Sequence, residues 1–152
     1  VNVQEAMLKE YTNIELVNRI TTGYPGTTEL AYNGVESALQ QNPDVETIWC
    51  TFDLEALGAA QACEALGKTD IKIIGADGEI DVLYKIRDGE QIIATSVADL
   101  EATTDDVIET IADLSAGKDV DMFHEMPYIM ITKENVDEWI ETTEAYLEEN
   151  GE

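Results

Sequence analysis

NPDVETIWCTFDLEALGAAQACEALGKTDIKIIGADG, residues 42–78, reads as strand, helix, strand. Asn42-Pro43-Asp44 is a turn signal that stops whatever precedes it. Val45 to Thr51 is an apolar run of strand length. Asp53 to Leu66 is rich in alanine and leucine and ends at Gly67, the pattern of a helix with a glycine stop. Ile71 to Ile74 is a second apolar run, closed by Gly75. A helix between two such runs is a crossover, and a crossover joins parallel strands.

The same alternation extends both ways. Toward the amino end, Thr27 or Thr28 caps a helix whose apolar positions are Leu30, Ala31, Val35, Ala38 and Leu39. Before it come the turn Gly23-Tyr24-Pro25-Gly26, a strand over Ile14 to Arg19, and a short amphipathic helix through Val3, Met7, Leu8 and Tyr11. Toward the carboxyl end, a helix runs from Glu79 to Arg87 and stops at Asp88-Gly89, and Ile92 to Val97 is a strand. Val107, Ile108, Ile111 and Leu114 mark an amphipathic helix that ends at Gly117. Pro127 precedes a strand over Tyr128 to Thr132, and Glu134 opens a last helix carrying Val136, Ile140 and Leu147. The fold class is therefore α/β, with a parallel sheet flanked by helices on both faces. Such sheets bind ligands at the carboxyl ends of their strands. That rule selects the loops Thr22–Gly26, Thr51–Asp53, Ala76–Glu79 and Ala98–Glu101.

Charge narrows the ligand. Eight Lys plus Arg face 33 Asp plus Glu, a formal net charge of -25, and such a surface repels nucleic acid and anionic membranes. Arg19 and Arg87 are the only arginines, which leaves few forks for a phosphorylated ligand. A neutral ligand fits better. The acidity itself reads as a solvated exterior or as an adaptation to a salty habitat, where cations screen self-repulsion. Cys50 and Cys63 form neither a CxxC nor a zinc pattern and read as buried free thiols. His124 has no sequence neighbour that would make a catalytic triad. Asp119, Asp121, His124 and Glu125 read as an acidic surface loop, not a metal site. The chain starts at Val1 without Met, which reads as a processed or truncated product.

Five pieces in order now carry a family resemblance: Asn42-Pro43-Asp44-Val45, Asp53-Leu54-Glu55-Ala56-Leu57-Gly58-Ala59, Gly67 through Gly78, Ile86-Arg87-Asp88-Gly89 before Ile93-Ala94-Thr95, and Ile131-Thr132-Lys133-Glu134-Asn135-Val136. Together they resemble the type I periplasmic sugar-binding proteins, the ribose-binding group in particular, over the C-terminal half of that family's chain. The resemblance implies two α/β lobes that close on a sugar, an ABC importer whose membrane subunits read the closed form, an extracytoplasmic location (periplasm or cell-surface lipoprotein), and no enzymatic activity, cofactor or metal. It implies that residues 1–98 form most of the C-terminal lobe without its first strand. Residues 99–126 would belong to the N-terminal lobe, and 127–152 would return through a hinge into a strand and final helix. The open surfaces would then be met by the missing N-terminal half of the same protein, or by a second copy. The effector domain of a lactose-repressor-type regulator shares the fold and is the alternative.

The resemblance also nominates ligand-binding residues. Asp77 matches an aspartate that accepts hydrogen bonds from sugar hydroxyls; a helix cap for Glu79–Arg87 is its other reading. Asp53 matches an aspartate that opens the following helix, as cap or as ligand contact. Phe52 stands where relatives carry asparagine, and reads either as a ring that stacks on a sugar or as core. Ala98 stands where relatives carry a hinge glutamine, so Asp99 supplies the polar contact or simply turns the hinge. Tyr24 lies in a loop where relatives place an aromatic against the ligand.

Overall fold

A computed structural model describes residue 6 and residues 8–150. Helices α1 (Thr27–Gln41), α2 (Asp53–Ala65), α3 (Ile80–Asp88), α4 (Leu100–Ser115) and α5 (Val136–Asn150) alternate with strands β1 (Thr47–Trp49), β2 (Lys72–Ala76), β3 (Ile92–Ala98) and β4 (Tyr128–Thr132). The strands form one sheet in the order β1-β2-β3-β4. Strands β1, β2 and β3 are parallel, as the crossovers require, but β4 runs antiparallel to β3. The departure from an all-parallel sheet has a simple cause. The chain leaves the sheet at Ala98 and returns at Tyr128, its direct register partner, so the excursion starts and ends at the same edge of the sheet and the returning strand must run backwards. The Asp99 N–H donates to the Pro127 carbonyl at 2.9 Å and pins the two crossings side by side.

Among the described residues the two faces of the sheet are covered unequally. Sequential order β1-β2-β3 with right-handed crossovers places α2 and α3 on the same face of the sheet. That face holds the core: Ile73, Val82, Leu83, Ile86, Ile92, Ile131 and Val136 are almost fully buried, with α5 packed on α3. The β2–β3 register skips Ile93, which keeps Ile73 against Ile92 and Gly75 against Thr95 on the covered side. The opposite face includes Trp49 and Met130, 56% and 53% exposed, and no described helix covers them. Helix α4 buries no residue at all, although Leu100, Val107, Ile108, Ile111 and Leu114 form its apolar side.

Several local readings shift. Residues Ile14–Arg19 form no strand and are not a member of the sheet; Ile14, Leu16 and Val17 are about half exposed. An apolar alternation makes a strand only when a neighbouring edge offers hydrogen bonds. In the short helix before it, Leu8 to Glu10 are helical, Tyr11 lies beyond the end, and Val3 and Met7 fall outside the described residues. Helix α1 is preceded by Gly26 in the left-handed region, with neither Thr27 nor Thr28 capping it by a side chain. Gly75 does not close β2, which continues to Ala76. Helix α5 starts at Val136, not Glu134.

Helix α2 explains how the site is brought close. Apart from Asp53, its buried residues are small: Ala56, Gly58, Ala59, Ala62 and Cys63. A Cβ on Gly58 would overlap the Thr28 carbonyl oxygen, so the glycine sets how closely α1 approaches α2.

Candidate functional site

All four selected loops lie at the carboxyl ends of β1–β3 or at the start of α1, on one edge of the sheet. The first turn of α2 organises them. Phe52 is its N-cap, in extended conformation and without a side-chain cap bond, and its ring is 52% exposed. The core reading of Phe52 therefore fails. Asp53 follows and is wholly buried. Its Oδ2 accepts from the Gly78 and Glu79 N–H groups, both at 2.8 Å, and its Oδ1 accepts from the Thr95 hydroxyl at 2.8 Å. Burial pushes its pKa up to about 6, against the hydrogen bonds from Thr95, Glu79 and Gly78, while the Asp77 charge adds to the rise. With both oxygens engaged inside the chain and no exposed surface, Asp53 is not placed for direct ligand contact. Nor does it cap its own helix.

Asp77 sits at the end of β2 with φ 120°, the one described non-glycine residue with positive φ. Its side chain is exposed. It does not cap α3, whose N-cap is Glu79 without a side-chain bond. The two donors a cap would serve are already held by Asp53. The Asp77 backbone N–H donates to the Ser96 carbonyl at 2.9 Å. Burial and the Glu55 charge still hold its pKa above the usual aspartate range.

Glu55 is the residue that sequence reasoning passed over. It accepts from the Thr51 N–H at 2.8 Å, from the Thr51 hydroxyl at 3.0 Å, and from the Thr22 hydroxyl. It thereby ties the Tyr24 loop to the end of β1. Burial opposes its charge, but the hydrogen bonds from Thr22, Thr51 and Phe52 hold its pKa below the usual glutamate range. Its position three residues after the N-cap was the available signal, since a glutamate there reaches back to the free N–H groups. Thr22 and Thr95 carried no such signal, because both bonds are long-range.

Tyr24 is 91% exposed beside the cis Tyr24–Pro25 bond. Asp99 is the N-cap of α4, its Oδ1 accepting from Ala102 N at 2.9 Å. The structure thus joins Asp53 to the loop of Asp77 through Gly78 and Glu79, with Phe52 next to Asp53 in the chain, while Tyr24 and Asp99 share the same edge. A shallow concavity of about 510 Å³, lined in part by Pro43, Glu46, Lys68 and Lys72, lies at the opposite, amino ends of β1 and β2.

The remaining candidates carry little chemistry. Both thiols are buried and unbridged. Burial, then the Glu55, Asp53 and Cys63 charges, push Cys50 up to about 12, so it stays protonated. His124 pairs with Asp106 at 2.8 Å on the surface, which raises its pKa. Among the described residues no three His, Cys, Asp or Glu side chains gather where a metal ion would fit, and no helix is long and apolar enough to cross a membrane.

Phe52 gives a first test. Phe52→Ala is expected to leave the melting temperature nearly unchanged, because a half-exposed ring forfeits only part of the roughly 3–5 kcal/mol that a core Phe→Ala costs. Calorimetric melting checks this; a core-sized loss would mean that the ring is covered.

Residues 2–119 match the family model of the periplasmic binding protein domain. The chain is 33% identical over 91 residues to the D-apiose import binding protein of Actinobacillus succinogenes, covering 60% of this chain and 29% of that protein. It is 36% identical over 86 residues to the ribose import binding protein of Bacillus subtilis, covering 57% and 28%. A solute binding protein of an ABC transporter from Agrobacterium vitis, solved with bound allitol, superposes with a TM-score of 0.77 at 25% identity, covering 91% of this chain and 49% of that one. The chain therefore spans under a third of these curated relatives and about half of the solved one. The sheet order, the carboxyl-end loops and the family match over most of its length agree: this chain belongs to the type I periplasmic binding proteins.

Proposed function

We propose that the native protein captures a monosaccharide or related polyol outside the cytoplasm and delivers it to an ABC importer, by closure of two lobes on the ligand. The observation that carries this reading is Asp77: an exposed carboxylate at a strand's carboxyl end, released from cap duty by Asp53. Relatives named for apiose and ribose, and one solved with bound allitol, support the ligand class. In this reading Asp77 accepts from two hydroxyls, Phe52 stacks on an apolar ring face, and Tyr24 and Asp99 border the ligand. Ligand stabilises the closed population, as in other hinge systems.

Residues 1–98 and 127–152 act as one lobe and 99–126 reaches into the other. The unburied α4 and the adjacent Ala98 and Tyr128 crossings support that division. The N-terminal half of the same protein, or a second copy, covers the open sheet face. Calorimetric titration of the native protein with D-ribose, D-apiose and allitol, paired with small-angle scattering, tests the proposal. Binding with a smaller radius of gyration is expected. Heat only with charged solutes, or binding without compaction, would contradict it.

A further inference from the structure

We infer that Asp53 is a positioning residue that holds the Asp77–Gly78–Glu79 loop in its ligand-facing form. The inference rests on Asp77 being the ligand carboxylate. Three facts carry it. First, Asp53 is wholly buried yet makes no ion pair among the described residues; its oxygens meet Gly78 N–H, Glu79 N–H and the Thr95 hydroxyl. A buried carboxylate is costly to keep, so its geometry must return something. Here it joins three elements, the start of α2, the β2–α3 loop and β3. Second, room has been made for it. A Cβ on Gly75 would overlap Asp53 Oδ1, so this central position of β2 must be glycine. Third, the loop it grips is strained. Asp77 has φ 120° and Gly78 φ 84°, and a residue other than glycine at positive φ persists only when its surroundings hold it there. Released, Asp77 would relax toward ordinary backbone angles and its carboxylate would turn away from the strand ends.

Asp53→Leu is the sharp variant. It keeps the approximate size, but offers no acceptor to the two N–H groups. In the native protein, labelled with ¹⁵N, the Gly78 and Glu79 amide signals are expected to shift and their exchange with solvent to quicken. Affinity for whichever of D-ribose, D-apiose or allitol binds the wild type should fall by roughly tenfold or more. Asp77 itself stays intact. Thr95→Ser, which keeps the hydroxyl, should retain wild-type affinity, and Thr95→Val should lose several-fold. A merely structural Asp53 would lower the melting temperature without moving those two amides. Folded Asp53→Leu with unshifted amides, or with affinity within twofold of wild type, overturns the inference. If Asp53→Leu does not fold, Thr95→Val decides: unmoved amides and unmoved affinity overturn it. If the wild type binds none of the three probes, the sugar reading fails, and the amide signals still decide whether the clasp exists.

Discussion

Asp77→Ala in the native protein is expected to weaken sugar or polyol binding by roughly 1.5–3 kcal/mol, about 10- to 100-fold, the loss for hydrogen bonds to a charged group. The side chain is exposed, and the donors at the start of α3 are taken by Asp53. Truncation therefore removes no helix cap. It also leaves the backbone at φ 120°, where alanine is as strained as aspartate. Asp77→Gly separates the two effects. Glycine adopts this conformation freely, so the variant should hold or raise the melting temperature while losing the same affinity. Calorimetric titration of both variants measures it. Unchanged affinity in either would remove Asp77 from the ligand.

Ile73→Ala is expected to cost about 2–5 kcal/mol of folding stability, the range for a buried isoleucine reduced to alanine. Ile73 is 0% exposed, pairs with Ile48 on one side and Ile92 on the other, and lies under α2 and α3. The same substitution at Ile108 on α4, 61% exposed, should cost under about 0.5 kcal/mol when this chain is studied alone. Equilibrium unfolding of both variants gives the comparison. A large loss at Ile108 would mean that the apolar side of α4 is covered, by a second copy or by another part of the protein.

The sequence alone was enough for the α/β class and for the element order from Thr27 onward, because helix and strand periods differ and glycines mark the stops. Gly67, Gly89 and Gly117 all adopt positive φ at helix ends. It was also enough to choose the edge of the sheet to inspect, since strand ends follow from strand direction. It could not decide which strands have neighbours. Ile14–Arg19 has a strand's composition and lacks a paired edge, while β4 has a strand's composition and runs antiparallel. Composition is local, whereas a ladder needs two chains side by side.

The same limit governs the site. The sequence nominated Asp53 and Asp77 as acidic residues at the right loops, but their division of labour depends on contacts 25 to 42 residues apart in sequence, from Gly78 to Asp53 and from Thr95 to Asp53. Only the packed structure shows that one carboxylate is sealed inside and grips the loop, leaving the other exposed at the strand end. The physical reason is that burial and hydrogen-bond partnership belong to tertiary neighbours, and neither is encoded in the spacing of the two aspartates.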